Sequence, residues 1–148
     1  MFCFKNQKKG RNSMSNCIFC SIISRKQRAL TIYQDEKVLG FLDIHPIHTG
    51  HTLIIPKKHY KTILDIPDDE LAYLIQITKK VAGYIKKTLN ATGFRITNNN
   101  YRPAGQIVPH LHFHIIPSTP EVPFKLKFKR MKVTIKDLEA IAKKIRIN

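Results

Sequence analysis

The 148-residue chain carries 26 Lys and Arg against 10 Asp and Glu, a formal net charge of +16. That length fits one domain, with a core large enough to need no disulfides, and 43% hydrophobic residues is an ordinary globular content. No apolar run reaches the roughly 18 residues of a transmembrane helix, so a helical membrane span is excluded. The positive field attracts anions such as nucleotides and nucleic acid, although charge alone is weak evidence for a particular partner.

Residues 1–16 hold Lys5, Lys8, Lys9 and Arg11, no acidic residue and no apolar centre of a secretory signal. They read as a basic flexible extension, with a mitochondrial presequence as the alternative. Cys3, Cys17 and Cys20 are an odd number with one close pair. That is no secreted disulfide framework, and a reducing, cytoplasmic compartment is expected.

Residues 17–24 predict a short helical turn with Ile18, Phe19, Ile22 and Ile23 apolar. Residues 30–35 and 37–43 predict two strands joined near Asp35-Glu36. A loop with Pro46 and Gly50 follows, then a β-branched strand over 51–56. The main helix is predicted from Asp68 to about Leu89. Leu71, Leu74, Ile75, Thr78, Val81, Ala82, Ile85 and Leu89 follow helical spacing. Its first turn is acidic and its last basic, matching the helix dipole. Residues 94–98 predict a fourth strand, 99–105 a polar loop, and 108–116 a fifth strand ended by Pro117 and Pro120. A second helix is expected over 134–145, with Thr134 and Asp137 at capping-box spacing. Strands mixed with two sizeable helices predict an antiparallel α+β domain.

The segment with most chemical content is His110-Leu111-His112-Phe113-His114-Ile115-Ile116. Side chains alternate along a strand, so the three imidazoles share one face and Leu111, Phe113 and Ile115 the core face. In such a strand His110 and His114 lie ~13–14 Å apart, too far for one phosphate to touch all three. Two neighbours can hold and attack a phosphate, which leaves the third for another task. A solvent-exposed histidine face and a metal site of these three residues are the competing readings. Neutral imidazole is a competent nucleophile and acid–base group near pH 7.

This stretch resembles the signature of the histidine-triad (HIT) family, His-φ-His-φ-His-φ-φ with φ apolar. Phe41-Leu42-Asp43, Gly50-His51-Thr52-Leu53, Ile55-Pro56-Lys57 and Gly105-Gln106 extend the resemblance from about Cys17 to Pro117. The likeness is to the nucleotide-binding, phosphoramidase-like branch with its zinc-containing bacterial-type members. It implies a five-stranded antiparallel sheet with one long helix and a C-terminal helix. The implied division is a triad domain over 17–120 and a basic, helix-bearing segment over 121–148 that includes Lys125, Lys127, Lys129, Arg130 and Lys132. It also implies a homodimer joined through the main helices and the 94–98 strands.

The resemblance further implies a hydrolase cleaving nucleoside 5′-phosphoramidates or related purine nucleotide conjugates through a nucleotidyl-histidine intermediate. A dinucleoside polyphosphate hydrolase and a non-catalytic nucleotide-binding module are the alternatives, and nucleic acid ranks lowest among partners. In the implied roles His112 attacks the α-phosphorus, and His114 donates to a phosphate oxygen. The backbone carbonyl of His110 orients the His112 ring, and His51 supports the triad. Asp43 binds the ribose hydroxyls. Ile18, Phe19, Ile22, Phe41, Ile44 and Leu53 clamp the base, while Asn99, Gly105 and Gln106 approach the phosphate. Ile107 stands where animal relatives carry a serine, which opens the choice of leaving group.

Cys17-Ile-Phe-Cys20 has metal-ligand spacing, but taken alone it is equally a redox pair or an accident. A closed zinc site needs about four ligands. The resemblance implies a structural zinc held by Cys17, Cys20, His59 and His110, and no organic cofactor.

Overall fold

The computed structural model describes residues 17–120 and 132–147. The expected 1–16 extension, Cys3 and the cluster Lys125–Arg130 lie outside those residues. Five strands form one antiparallel sheet in the order β1-β2-β3-β5-β4: β1 Thr31–Gln34, β2 Val38–Leu42, β3 Thr52–Pro56, β4 Gly93–Thr97 and β5 Phe113–Ser118. The helices are α1 Ile18–Ile23, α2 Asp68–Thr88 and α3 Ile135–Ile145, with a 3₁₀ turn at Arg102–Ala104. This is the expected α+β architecture. No helix among the described residues is long and apolar enough to cross a membrane.

The sheet has two different faces because residue parity along each strand is strict. Val38, Ile54, Phe113 and Ile115 point to α2, where they pack with Leu74, Ile77, Val81, Ala82 and Ile85. Leu39, Phe41, Leu53 and Ile55 point the other way and pack with Cys17 and Phe19 of the α1 region. The register places Phe41 beside Leu53, and Leu53 beside His114. His114 is therefore carried onto the α1 side. The α2 stripe differs slightly from the sequence expectation. Ile77 is buried, while Ile75 and Leu89 lie partly open on the flank.

Asp35 closes the β1–β2 turn by accepting from the backbone N–H groups of Lys37 and Val38. It also accepts from the Tyr33 and Tyr73 hydroxyls at 2.7 and 2.9 Å, which ties α2 to the hairpin. At α3 the Thr134–Asp137 capping box is formed in both directions.

The fifth strand departs from expectation at both ends. It begins at Phe113 rather than Val108, because β3 faces it only over Thr52–Ile54. Upstream, Pro109 has no N–H for a ladder, and Leu111 N–H bonds instead to the Tyr60 carbonyl at 2.6 Å. The strand also continues through Pro117 to Ser118, where only β4 lies beside it. Proline is tolerated where one edge of a strand is open.

Candidate active site and metal centre

On the α1 side of the sheet lies a cavity of about 490 Å³. Its histidine end is built by β5 and the loop before it, which supply His114 and His112. One flank comes from β2 and the following turn with Phe41, Asp43 and Ile44. His51 and Leu53 belong to the start of β3, and α1 closes the top with Ile18, Phe19 and Ile22. Phe19 holds an edge-on contact with Phe41 at 5.5 Å and with the His112 ring at 5.3 Å. Gly50 sets up this corner. Its φ of +83° is one that side-chain-bearing residues rarely adopt, and a Cβ there would collide with the tip of Leu89.

The hydrogen bonds fix the tautomer of each imidazole. His112 Nδ1 lies 2.7 Å from the His110 carbonyl, which can only accept. Nδ1 therefore carries the proton, and Nε2 keeps its lone pair. His51 Nδ1 accepts from the Ile47 N–H at 3.1 Å. Neutral His51 is thus protonated at Nε2 and donates to His114 Nδ1 at 2.9 Å. His114 in turn holds its proton on Nε2. One ring ends in a free lone pair and its neighbour in a donor, with centroids 4.9 Å apart.

Burial keeps these rings neutral. It lowers the pKa of His112 and of His51 below the ordinary 6.5. It pushes His114 down to about 4, with the neighbouring His112 and His51 acting in the same direction. Asp43 opposes the shift at all three. Its carboxylate sits 3.6 Å from His51 Nε2, and it accepts from the His45 N–H at 2.8 Å, which fixes the turn. Asp43, His51 and His114 also form a metal-sized cluster, but the two rings bond each other and Ile47 N–H occupies His51 Nδ1.

His110 leaves this group. Its fully buried ring donates from Nε2 to the Pro56 carbonyl at 2.9 Å, so Nδ1 has the free lone pair. That Nδ1 faces Cys17 Sγ at 3.5 Å, Cys20 Sγ at 3.7 Å and His59 Nδ1 at 3.2 Å. Cys20 Sγ and His59 Nδ1 are 3.3 Å apart. Ligand atoms of a tetrahedral zinc site, with bonds near 2.0–2.3 Å, lie about 3.3–3.8 Å from one another. The four residues fit such an ion in both spacing and donor type. Burial and the adjacent Cys17 push the Cys20 thiol up to about 11 without a cation beside it, a penalty that coordination reverses.

A second brace stands behind the triad. Asn98 donates to the His112 carbonyl at 2.9 Å. Asn100 donates to Asn98 and accepts from the Ile63 N–H at 2.9 Å. Gln106 accepts from the Tyr101 N–H at 2.8 Å and donates to the Lys61 carbonyl at 2.6 Å.

The HIT domain model matches residues 24–121. The chain belongs to the HIT domain family. An uncharacterized HIT-like protein of Methanocaldococcus jannaschii is 47% identical over 130 residues, covering 88% of this chain and 98% of its own. An adenosine 5′-monophosphoramidase of Candida albicans is 40% identical over 113 residues, 74% of each chain. The crystal structure of a zinc-bound histidine triad family protein from Mycobacterium smegmatis superimposes with a TM-score of 0.70 at 35% identity, covering 80% of this chain and 87% of that one.

Most of the residues singled out from sequence surround the one cavity: Asp43, His51, His112, His114, the apolar set around α1 and β2, and Asn99, Gly105 and Ile107 on the far wall. Ile44 and Ile107 form its exposed rim. Gln106 does not line the cavity. Its side chain is buried in the brace described above, because the backbone reverses at Gly105, whose φ is +89°. The sequence reading missed Gln27, Arg28 and Ala29, which line the α1 end. They follow a six-residue helix in a stretch without periodicity, so no pattern marks them. Asn98 and Asn100 stood in a visible Asn98-Asn99-Asn100 run, but which of the three faces the cavity depends on tertiary contacts.

Proposed function

We propose that the protein hydrolyses nucleoside 5′-phosphoramidates or related purine nucleotide conjugates through a nucleotidyl-histidine intermediate. The observation that carries this reading is the pairing of a free lone pair on His112 Nε2 with an Nε2–H donor on His114, at one end of an apolar cavity holding one carboxylate. The base lies against Phe19, Ile22 and Leu53, and Asp43 takes the ribose hydroxyls. His112 Nε2 attacks the α-phosphorus as the P–N bond breaks and the departing amine takes a proton from solvent, while His114 donates a hydrogen bond to a non-bridging oxygen as charge builds there. The nucleotidylated imidazole is a cation. The His110 carbonyl on its Nδ1–H and the nearby Asp43 carboxylate both favour that charge. Water then attacks the same phosphorus, the bond to Nε2 breaks and a proton passes to solvent, which releases the monophosphate and restores neutral His112.

We further propose that Cys17, Cys20, His59 and His110 hold a zinc ion. Four protein ligands leave no open position, so what such an ion supplies is cross-linking of α1 to the chain before β5. Burial in the assembled protein is proposed for the α2–β4 flank, in a homodimer. β4 is an edge strand, and Phe94, Ile96 and Tyr84 expose apolar surface there. The proposed compartment is the reducing cytoplasm.

One assay tests the activity. Adenosine and guanosine phosphoramidates are compared with dinucleoside polyphosphates, with rapid acid-free quenching and intact-protein mass measurement. The expected result is phosphoramidate turnover with one transient nucleotidyl adduct on the peptide containing His112. Turnover without any adduct, or adduct on another residue, overturns the mechanism. Faster turnover of dinucleoside polyphosphates replaces the substrate class.

A further inference from the structure

Beside the nucleotide cavity, sharing Ile22, Gln27, Arg28 and Ala29 as a common wall, lies a second cavity of about 450 Å³. Arg25, Lys26, Arg28 and Lys57 line it, and no carboxylate does. Among the described residues none of these four cations has a carboxylate partner. Four cations from two separate parts of the chain, Arg25, Lys26 and Arg28 exposed and Lys57 half-buried, set a positive field over one solvent-open concavity, and that field favours an entering anion.

The backbone gives an independent reason to regard Arg25 as placed for its charge. Lys26 N–H bonds to the Ser21 carbonyl at 2.9 Å, and Arg25 N–H to the Ile22 carbonyl at 3.0 Å. This is the Schellman closure of α1, and it puts Arg25 in the left-handed region at φ +61°. Glycine is favoured there because it alone bears that conformation without a steric penalty. The chain carries arginine instead. A cation near a helix C-terminus gains something from the dipole, but in a helix of six residues whose terminal carbonyls are already bonded that gain is small. It also does not account for Lys57, which follows β3.

We propose that this second cavity is an anion site for oligophosphate groups, occupied beside the nucleotide cavity and distinct from it. The groups come from free oligophosphate or from the backbone of a nucleic-acid strand. The guanidinium of Arg25 and the ammonium of Lys57 converge on the phosphates, and Arg28 lies between the two cavities.

The test uses the full chain and two probes, inorganic tripolyphosphate and a short single-stranded oligonucleotide, titrated calorimetrically. Arg25→Gly and Lys57→Ala are the diagnostic variants, and neither residue lines the nucleotide cavity. Arg25→Gly is expected to weaken tripolyphosphate binding by about tenfold or more, as loss of a charge-assisted contact does. Its melting temperature stays equal or rises, because glycine relieves the turn. Lys57→Ala weakens binding several-fold, and both variants reduce its salt dependence. His112→Asn, at the reactive end of the other cavity, leaves it unchanged. If the oligonucleotide binds with the same dependence on Arg25, a nucleic-acid strand is the source. If only tripolyphosphate binds, the source is free oligophosphate. Wild-type affinity in Arg25→Gly, or loss of binding in His112→Asn, overturns the proposal.

Discussion

His112→Asn separates the proposed chemistry from the fold. The asparagine amide nitrogen falls near the place of imidazole Nδ1, so it can keep the 2.7 Å bond to the His110 carbonyl. It has nothing at the place of Nε2. His112 is only 5% exposed, and the substitution removes part of a ring from a packed site. The expected cost is about 1 kcal/mol, near the centre of the distribution for single substitutions. His112→Ala removes the ring and also strands the buried His110 carbonyl, which adds about 1–3 kcal/mol. At roughly 2–4 °C per kcal/mol for a domain near this size, alanine melts several degrees below asparagine. Turnover behaves differently. Both variants lack the nucleophile, so both lose about 10⁴-fold or more in kcat, with the residue of rate coming from binding and His114. Monophosphate release is followed by chromatography and melting by calorimetry on the same preparations. If His112→Asn retains more than about one hundredth of wild-type turnover, the covalent route through His112 is wrong, since no group remains there to accept the phosphorus.

His51→Ala removes the donor to His114 Nδ1 and should lower kcat about tenfold, in the range for partners that orient a reacting imidazole. His51→Gln restores an N–H near the same place and most of the rate, whereas a purely structural role predicts equal loss in both. Because His112 and His114 have pKa values below 6.5, they stay neutral at pH values where free imidazole is protonated. The acid limb of kcat/KM should fall below 6.5, and a limb at 6.5–7 contradicts the burial argument. The same shifts make stability pH-dependent. The unfolded chain takes up protons near 6.5 that folded His114 refuses until about 4, so melting temperature is highest above pH 6.5 and declines as pH falls toward 4. Chelation, or Cys20→Ser, should remove one zinc per chain and lower the melting temperature by about 10 °C; unchanged melting with full metal loss refutes a structural ion. Phe94→Arg combined with Ile96→Arg should convert a dimer into a monomer by light scattering, and a variant of unchanged mass moves the interface elsewhere.

Parity was the part of the fold most legible in sequence. Leu111, Phe113 and Ile115 are buried against α2, as their alternation with the histidines predicts. What parity could not give is where pairing begins. That depends on the length of β3, which ends at Pro56, and on the chain after it turning so that Tyr60 captures the Leu111 N–H. Long periodic elements were readable for the same reason. In α2 a slip of the stripe by one residue would bury Lys79 in place of Thr78 or Lys80 in place of Val81. The loops were harder. Gly105-Gln106 identifies a turn, but the direction of the Gln106 side chain is set by Tyr101 and Lys61, which no local pattern names.

In the proposed mechanism, the departure of residues 108–112 from the sheet is what lets the three histidines divide their work. Held in a regular strand, the His110 carbonyl would point sideways to a ladder partner, and its ring would stand beside those of His112 and His114. Released from the ladder, residue 110 turns its ring to Cys17, Cys20 and His59 while its carbonyl accepts from His112 Nδ1. The same residue is thus fixed twice, once through Nε2–H on the Pro56 carbonyl and once through the metal-spaced cluster. The position of His112 Nε2, the proposed attacking nitrogen, follows from that anchoring. Loosening the cluster should therefore reach the chemistry as well as the stability. In Cys20→Ser the His110 carbonyl gains freedom, His112 loses its fixed tautomer, and kcat falls while KM, set by the α1 and β2 walls, changes less. A variant that loses its metal yet keeps wild-type kcat would show that the Pro56 contact alone suffices to hold residue 110.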